Sequence, residues 1–219
     1  MSRDYSSKKV LHENAYVYND YYRVGIIDGW AENDKEYNFR HLLKITKRAR
    51  NPLTGASVLD VGCGTGDIIP VLRKNHIKRY LGVDIYKPAL RIAKRKYPKE
   101  SFLHTDILEN RTLDKFDFVV CSGGMSIRLK SIDNYVFLKS MVKRMWQMTR
   151  KGLAFNLLTT EDVAPAKHLF YYNIETVRKI CKEIAPNTKV AIRRTPIFNG
   201  EGYEDEAQIH VYITPLSLS

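Results

Sequence analysis

The sequence predicts a doubly wound α/β domain, and three observations carry that prediction. Short apolar runs with strand character alternate with amphipathic helical stretches. A glycine-dense turn, Gly62-Cys63-Gly64-Thr65-Gly66, joins the first of those strands to a helix. Acids stand at the ends of the next two strands, Asp84 and Asp106. At 219 residues the chain suits one domain with one substantial core. A helical cap is expected over 1–50 and the α/β core over 51–219.

The first strand reads Val58-Leu59-Asp60-Val61, and Asp67 to Leu72 reads as the start of the first core helix. The glycines let the backbone turn sharply and let a ligand come close, where a Cβ would block both. Their spacing is Gly-x-Gly-x-Gly, and Asp60 stands two residues before the first of them. A dinucleotide turn seats a pyrophosphate over a helix N-terminus and disfavours a carboxylate there. An acid in the turn points instead to a cationic ligand without phosphate. S-adenosylmethionine, with its ammonium and sulfonium groups, has that character.

The run Val58 to Gly66 resembles motif I of the class I S-adenosylmethionine-dependent methyltransferases, a Rossmann-like superfamily. The resemblance covers about Thr54 to Thr214 and is weakest after Leu158. It implies a mostly parallel seven-stranded sheet with an antiparallel last strand, helices on both faces and a small N-terminal helical cap. It also implies a cofactor set. Asp60, Gly62, Cys63, Gly64, Gly66 and Asp67 form the turn. Asp84 ends the second strand, Arg79 to Asp84, one strand–helix–strand unit later, where a carboxylate can accept both ribose hydroxyls. Ile85 and Tyr86 would lie against the adenine, and Asp106 with Ile107 matches a third motif that receives the adenine amino group.

The remaining elements follow in order. Met1 to Lys9 is polar, and Leu11 to Trp30 is rich in tyrosine, including Tyr16, Tyr18, Tyr21 and Tyr22. Tyrosine offers an apolar face and a hydroxyl tip, so this stretch suits either a lid or packing on the sheet. A helix is expected from about Lys35 to Ala49, ended by Asn51-Pro52. Similar proteins grip the cofactor's carboxylate with an arginine or tyrosine from such a cap, and Arg40 is the candidate here, its alternative being a solvent-facing position. Pro88 opens the second core helix. Ser101 to His104 is a short strand in which His104 reads as a core residue. Leu113 to Cys121 is the fourth strand, and Ser122 and Gly123 at its end lie where the transferable methyl would point. A long helix from about Ile132 to Thr149 is expected, capped by Ser131 and closed by Gly152. Leu153 to Leu158 forms the fifth strand. A long loop, Thr159 to Tyr172, precedes a helix capped by Asn173, and two final strands cover Val190–Arg194 and Ala207–Ile213.

Methyl transfer needs chiefly alignment, with a general base where the acceptor is a hydroxyl or an ammonium. The candidates for that face are His168, Glu161, Asp162, Tyr171 and Tyr172 of the long loop, with Tyr18 and Tyr22 of the cap. The end of the fourth strand lacks the Asn/Asp-Pro-Pro-Tyr/Phe loop of adenine and glutamine amino methylation. It also lacks the Pro-Cys pair of RNA cytosine C5 methylation, since Cys121 follows Val120. No acid cluster suggests a metal, and the three cysteines show no ligand spacing and suit a reduced cytoplasm. No apolar run is long enough to span a membrane. The net charge of +12 invites a polyanion partner, but much of it falls on Arg73, Lys74, Lys78, Arg79, Lys87 and Arg91 to Lys99, which read as solvated helix faces. The expected function is methyl transfer from S-adenosylmethionine to oxygen or nitrogen of a small molecule. An RNA or protein methyltransferase using the basic surface, and a non-catalytic cofactor-binding subunit, are the alternatives.

Overall fold

In a computed structural model, the structure describes residues 9, 32–48, 50, 52–159, 167–198 and 203–216. Helices α1 (Glu32–Leu42) and α2 (Ile45–Arg48) precede strand β1 (Ser57–Val61). There follow α3 (Ile69–Lys74), β2 (Arg79–Asp84), α4 (Lys87–Lys96), β3 (Ser101–His104), β4 (Phe116–Cys121), α5 (Asn134–Gln147), β5 (Thr149–Leu158), α6 (Ile174–Ile184), β6 (Thr188–Phe198) and β7 (Tyr203–Pro215). Tyr16, Tyr18, Tyr21, Tyr22, Glu161 and Asp162 lie outside the described residues.

The seven strands form one sheet in the order β3-β2-β1-β4-β5-β7-β6. The first five pair in parallel, while β7 runs antiparallel between β5 and β6. The chain leaves β1 toward β2 and β3, then returns to place β4 on the other side of β1. That reversal opens a crevice at the carboxyl ends of β1 and β4, where ligands bind in open α/β sheets.

Alternation along the central strands builds two apolar layers. Leu59, Val61, Val119 and Cys121 join a cluster with Leu138, Val142 and Met145 of α5 and Val177 and Cys181 of α6. Val58, Phe118, Val120 and Ala154 face the other way, onto Leu42 of α1, Ile45 of α2 and Leu72 of α3. Tyr212 of β7 fastens the second layer: its hydroxyl donates to the His41 carbonyl at 2.7 Å, and the Arg48 guanidinium lies 4.7 Å over its ring.

Several boundaries differ from those expected. The cap helix divides into α1 and α2 around Leu43 and Lys44. Helix α3 begins at Ile69, leaving Asp67 in the turn. Asp133, not Ser131, caps α5, accepting from the backbone of Tyr135 at 2.8 Å and Val136 at 3.1 Å. Gly152 does not close that helix but lies inside β5, opposite Phe118. The reason is packing: a Cβ there would sit 2.7 Å from Ile45 Cγ1 and 3.3 Å from Phe118 Cδ1. His104 is exposed on the edge strand rather than in the core, with Nε2 3.0 Å from the Ile85 carbonyl. Asn173 caps α6 as expected, its side chain accepting from Thr176 N.

Gly152→Ala tests the seating of α2 on the sheet. Ile45 is fully buried and would have to shift to admit the methyl, so the variant should lose about 1–3 kcal/mol of stability in urea titration. An unchanged midpoint would show that α2 yields without cost.

Candidate active site

The crevice is built from backbone first. Gly62 and Gly64 take positive φ, 69° and 51°, which a side chain would strain. The N–H groups of Gly62 and Cys63 both donate to the Val83 carbonyl, at 2.8 and 3.1 Å, which ties the turn to the end of β2. Across the crevice Gly123 and Gly124 follow β4. A Cβ on Gly62 would lie 3.7 Å from Gly124 Cα, so the two turns pack backbone to backbone. A Cβ on Gly64 would meet nothing within 4 Å, so the first turn opens there to free space.

Asp84 stands at the rim of that space. One carboxylate oxygen accepts from Gly64 N at 2.8 Å and the other from Tyr86 N at 2.7 Å. A carboxylate has about four acceptor positions, so each oxygen retains capacity for a ribose hydroxyl. Burial raises the Asp84 pKa, and the amides of Tyr86 and Gly64 oppose the shift. Asp106 braces the next loop, accepting from Leu108 N at 2.8 Å. Ile107 is buried in the apolar layer under α5, and the Tyr86 side chain is buried as well.

Asp60 lies deeper than the sequence suggested. It is 4% exposed and accepts a hydrogen bond from the Tyr80 hydroxyl at 2.9 Å. Burial pushes its pKa up to about 7, with the charges of Asp84 and Asp67 adding and the Tyr80 bond opposing. Cys63 is buried beside it, and burial with the two nearby carboxylates pushes its thiol well above the ordinary range. The thiol is therefore held protonated and is a packing group.

Asp67 is neutralised from two sides. Lys35 of α1 approaches Oδ2 at 3.1 Å, Lys96 of α4 pairs with Oδ1, and the Thr65 hydroxyl donates at 2.8 Å. Lys35 is thus the cation that α1 brings to the turn. Arg40 is mostly exposed and pairs with Glu36 on the same helix.

The loops after β4 and β5 lock together. Ile127 bridges Leu169, Arg128 N donates to the His168 carbonyl at 2.9 Å, and Phe170 N donates to the Ser126 carbonyl at 2.9 Å. His168 is exposed at this end of the sheet, and Tyr171 is half-buried. Tyr172 is fully buried, and its hydroxyl donates to the Met125 carbonyl at 2.8 Å. Burial raises its pKa. It is a fastener of the loop and is not presented to an acceptor. Gly123 N donates to Asn156 Oδ1 of β5 at 2.7 Å. Sequence reasoning missed Lys35 and Tyr80, whose partners are distant in the chain, and met Asn156 only as the one residue at these strand ends comparable to a metal-binding acid.

Comparison with known proteins agrees with this geometry. Residues 58–152, from β1 into β5, match the model of a methyltransferase domain family. That match spans less than half of the chain. The chain is 35% identical over 85 residues to a demethylmenaquinone methyltransferase of Chlorobaculum tepidum, a match covering 37% of the chain and 35% of that relative. The chain therefore aligns with about a third of that curated protein's length. The magnesium protoporphyrin IX methyltransferase of Synechocystis, solved with S-adenosylmethionine bound, superposes with a TM-score of 0.68 at 15% identity. That superposition covers 98% of this chain and 100% of the other. An N-methyltransferase of Bradyrhizobium japonicum superposes with a TM-score of 0.58 at 20% identity, covering 84% and 98%. The fold is the one these solved methyltransferases share. Among the described residues, no group of three or more His, Cys, Asp or Glu side chains is placed to hold a metal.

The buried acid gives a stability signature. Asp60 rises from 3.8 to about 7 on folding, so its ionised form is the costly one. The penalty is absent at low pH, grows as pH rises, and is complete above the folded value. Asp60→Asn removes it. Its unfolding free energy relative to wild type, from urea titration without ligand, should therefore rise by on the order of a few kcal/mol between about pH 4 and pH 8. A difference independent of pH would contradict the buried, ionisable reading.

Proposed function

We propose that the chain is an S-adenosylmethionine-dependent methyltransferase that acts on oxygen or nitrogen of a small molecule. The observation that carries this reading is the junction of the two glycine turns at the sheet reversal, with Asp84 held at its rim by Gly64 N and Tyr86 N. The donor set fits the cofactor: open backbone at Gly64 and a carboxylate with acceptor capacity left. When bound, the cofactor supplies an activated methyl on a sulfonium, which an acceptor lone pair displaces as the carbon–sulfur bonding electrons return to sulfur.

The chain's own residues bind, orient and exclude water. Asp84 takes the ribose hydroxyls, and Asp106 takes the adenine amino group beside Ile85, Tyr86 and Ile107. Gly62, Cys63, Gly64 and Gly66 present backbone, while Asp60 acts from beneath the turn. Asp67 serves by holding Lys35 and Lys96 against the turn. Ser122 and Gly123 close the methyl side. His168, exposed on the loop beyond β5, is the candidate base for removing the acceptor's proton.

Relatives that act on a porphyrin and a quinone precursor support a small-molecule acceptor. Some of the basic side chains are also engaged within the fold, Arg73 by Glu100, Arg79 by Asp114 and Lys96 by Asp67. No helix among the described residues is long and apolar enough to cross a membrane.

Calorimetric titration with S-adenosylhomocysteine tests the assignment. The wild type should bind, and Asp84→Ala should bind about ten- to a hundredfold more weakly, the cost of losing hydrogen bonds to a charged acceptor. Undiminished affinity in the variant would remove Asp84 from the ribose site.

A further inference from the structure

We propose that three buried amides, Asn156, Gln208 and Asn38, form a directed positioning relay that sets the Gly123 turn according to how helix α1 is seated. The inference rests on the cofactor reading above and adds positioning residues to it.

The direction of the relay is fixed at the site. The Gly123 backbone N–H can only donate, so the oxygen of Asn156 must face it, at 2.7 Å. The Asn156 amide nitrogen then points away and donates to Gln208 Oε1 at 3.2 Å. That contact turns the Gln208 amide nitrogen toward Asn38 Oδ1 of α1, with Thr195 Oγ1 at 3.4 Å as a second partner. Reversing any one amide would set donor against donor or acceptor against acceptor along the line. The three side chains are 1%, 1% and 3% exposed, so water cannot repair a broken link.

Placement supports a role beyond packing. Asn156 and Gln208 lie on the same face of β5 and β7 as Ala154 and Tyr212, which are apolar and meet α1 and α2. The polar pair sits toward the carboxyl end of β5, beside the crevice. Buried amides cost more than apolar side chains of the same size unless every group is paired, so a simple brace would use leucines here. Asn38 also lies one helical turn from Lys35, which grips Asp67 of the first glycine turn. One face of α1 is therefore fastened to both glycine turns, to the first by an ion pair and to the second by the relay. Alignment-driven chemistry is sensitive to displacements of about 1 Å at such turns.

Two variants test the relay, read by calorimetric affinity for S-adenosylhomocysteine and by amide hydrogen exchange at Gly123. Gln208→Glu can only accept when ionised, which breaks the link to Asn38. Once protonated it donates again and restores the link. The side chains bonded to Gln208 are Asn156, Thr195 and Asn38, all neutral. The nearby His210 on β7 stays uncharged across the range, since burial lowers its pKa to about 3. His41 of α1 packs against His210, its ring centroid 5.2 Å away, with Lys44 and Arg193 near it; affinities are taken as a ratio to wild type at each pH, which cancels the titrations common to both proteins, Asp60 and His41 included. That ratio should fall about tenfold at about pH 8.5 and recover to within about twofold at about pH 5.5. Asn38→Ala keeps a helix-forming residue and touches neither turn, yet Gly123 should exchange at least about fivefold faster while β2 amides keep their rates. A loss of affinity that does not recover at low pH, or unchanged Gly123 exchange in Asn38→Ala, would overturn the relay. Absence of binding by the wild type would overturn the cofactor reading instead, and the exchange measurement would still decide the relay.

Discussion

The structure depends on a close approach of backbone to backbone. At the reversal of the sheet, Gly62 and Gly124 bring two backbone turns into contact, one from β1 and one from β4. The parallel strands behind them are covered on both faces, so the turns stand on a rigid floor. Gly62 holds its turn at a φ of 69°, which a side chain would strain, and a Cβ on Gly124 would press on Cys121 Sγ at 3.1 Å, so substitution at either turn would disturb the crevice between them. The hydrogen bonds around the contact serve that constraint: Val83 holds the first turn from β2, Asp84 holds Gly64, and Asn156 holds Gly123.

Charge is arranged on the same plan. Three carboxylates, Asp60, Asp67 and Asp84, crowd one turn and would repel one another in a low-dielectric site. Each is handled differently. Asp67 is offset by Lys35 and Lys96, Asp84 by backbone amides, and Asp60 by the Tyr80 hydroxyl and a pKa near neutrality. Of the three, Asp84 is the one held by backbone amides, which leaves its oxygens further acceptor positions. This refines the expectation that Asp60 itself would face a cationic ligand, because burial removes that carboxyl from the rim.

Much of this was legible in the sequence because its causes are local. A glycine turn after an apolar strand and an acid one strand later are short-range patterns, and they located the crevice and Asp84. Asn173 showed itself as a cap for the same reason. What stayed hidden depends on distant partners. Nothing near Lys35 in the chain tells that it reaches Asp67, since that is decided by how α1 seats on the sheet. Gly152 carries the usual mark of a helix end, yet the need to admit Ile45 decides its place. Ser131 and Asp133 are both good caps, and only the observed bonds distinguish them. Tyr172 looked like a pocket residue by composition, but its hydroxyl is spent on Met125, far back in the chain.

The most direct measurement is a crystal structure of the chain with S-adenosylhomocysteine. The account places the thioether nucleoside between the Gly62–Gly66 turn and the Ser122–Gly124 turn, its ribose hydroxyls within hydrogen-bond distance of Asp84. The nucleoside bound elsewhere, or a phosphate-bearing nucleotide seated in that crevice instead, would contradict it.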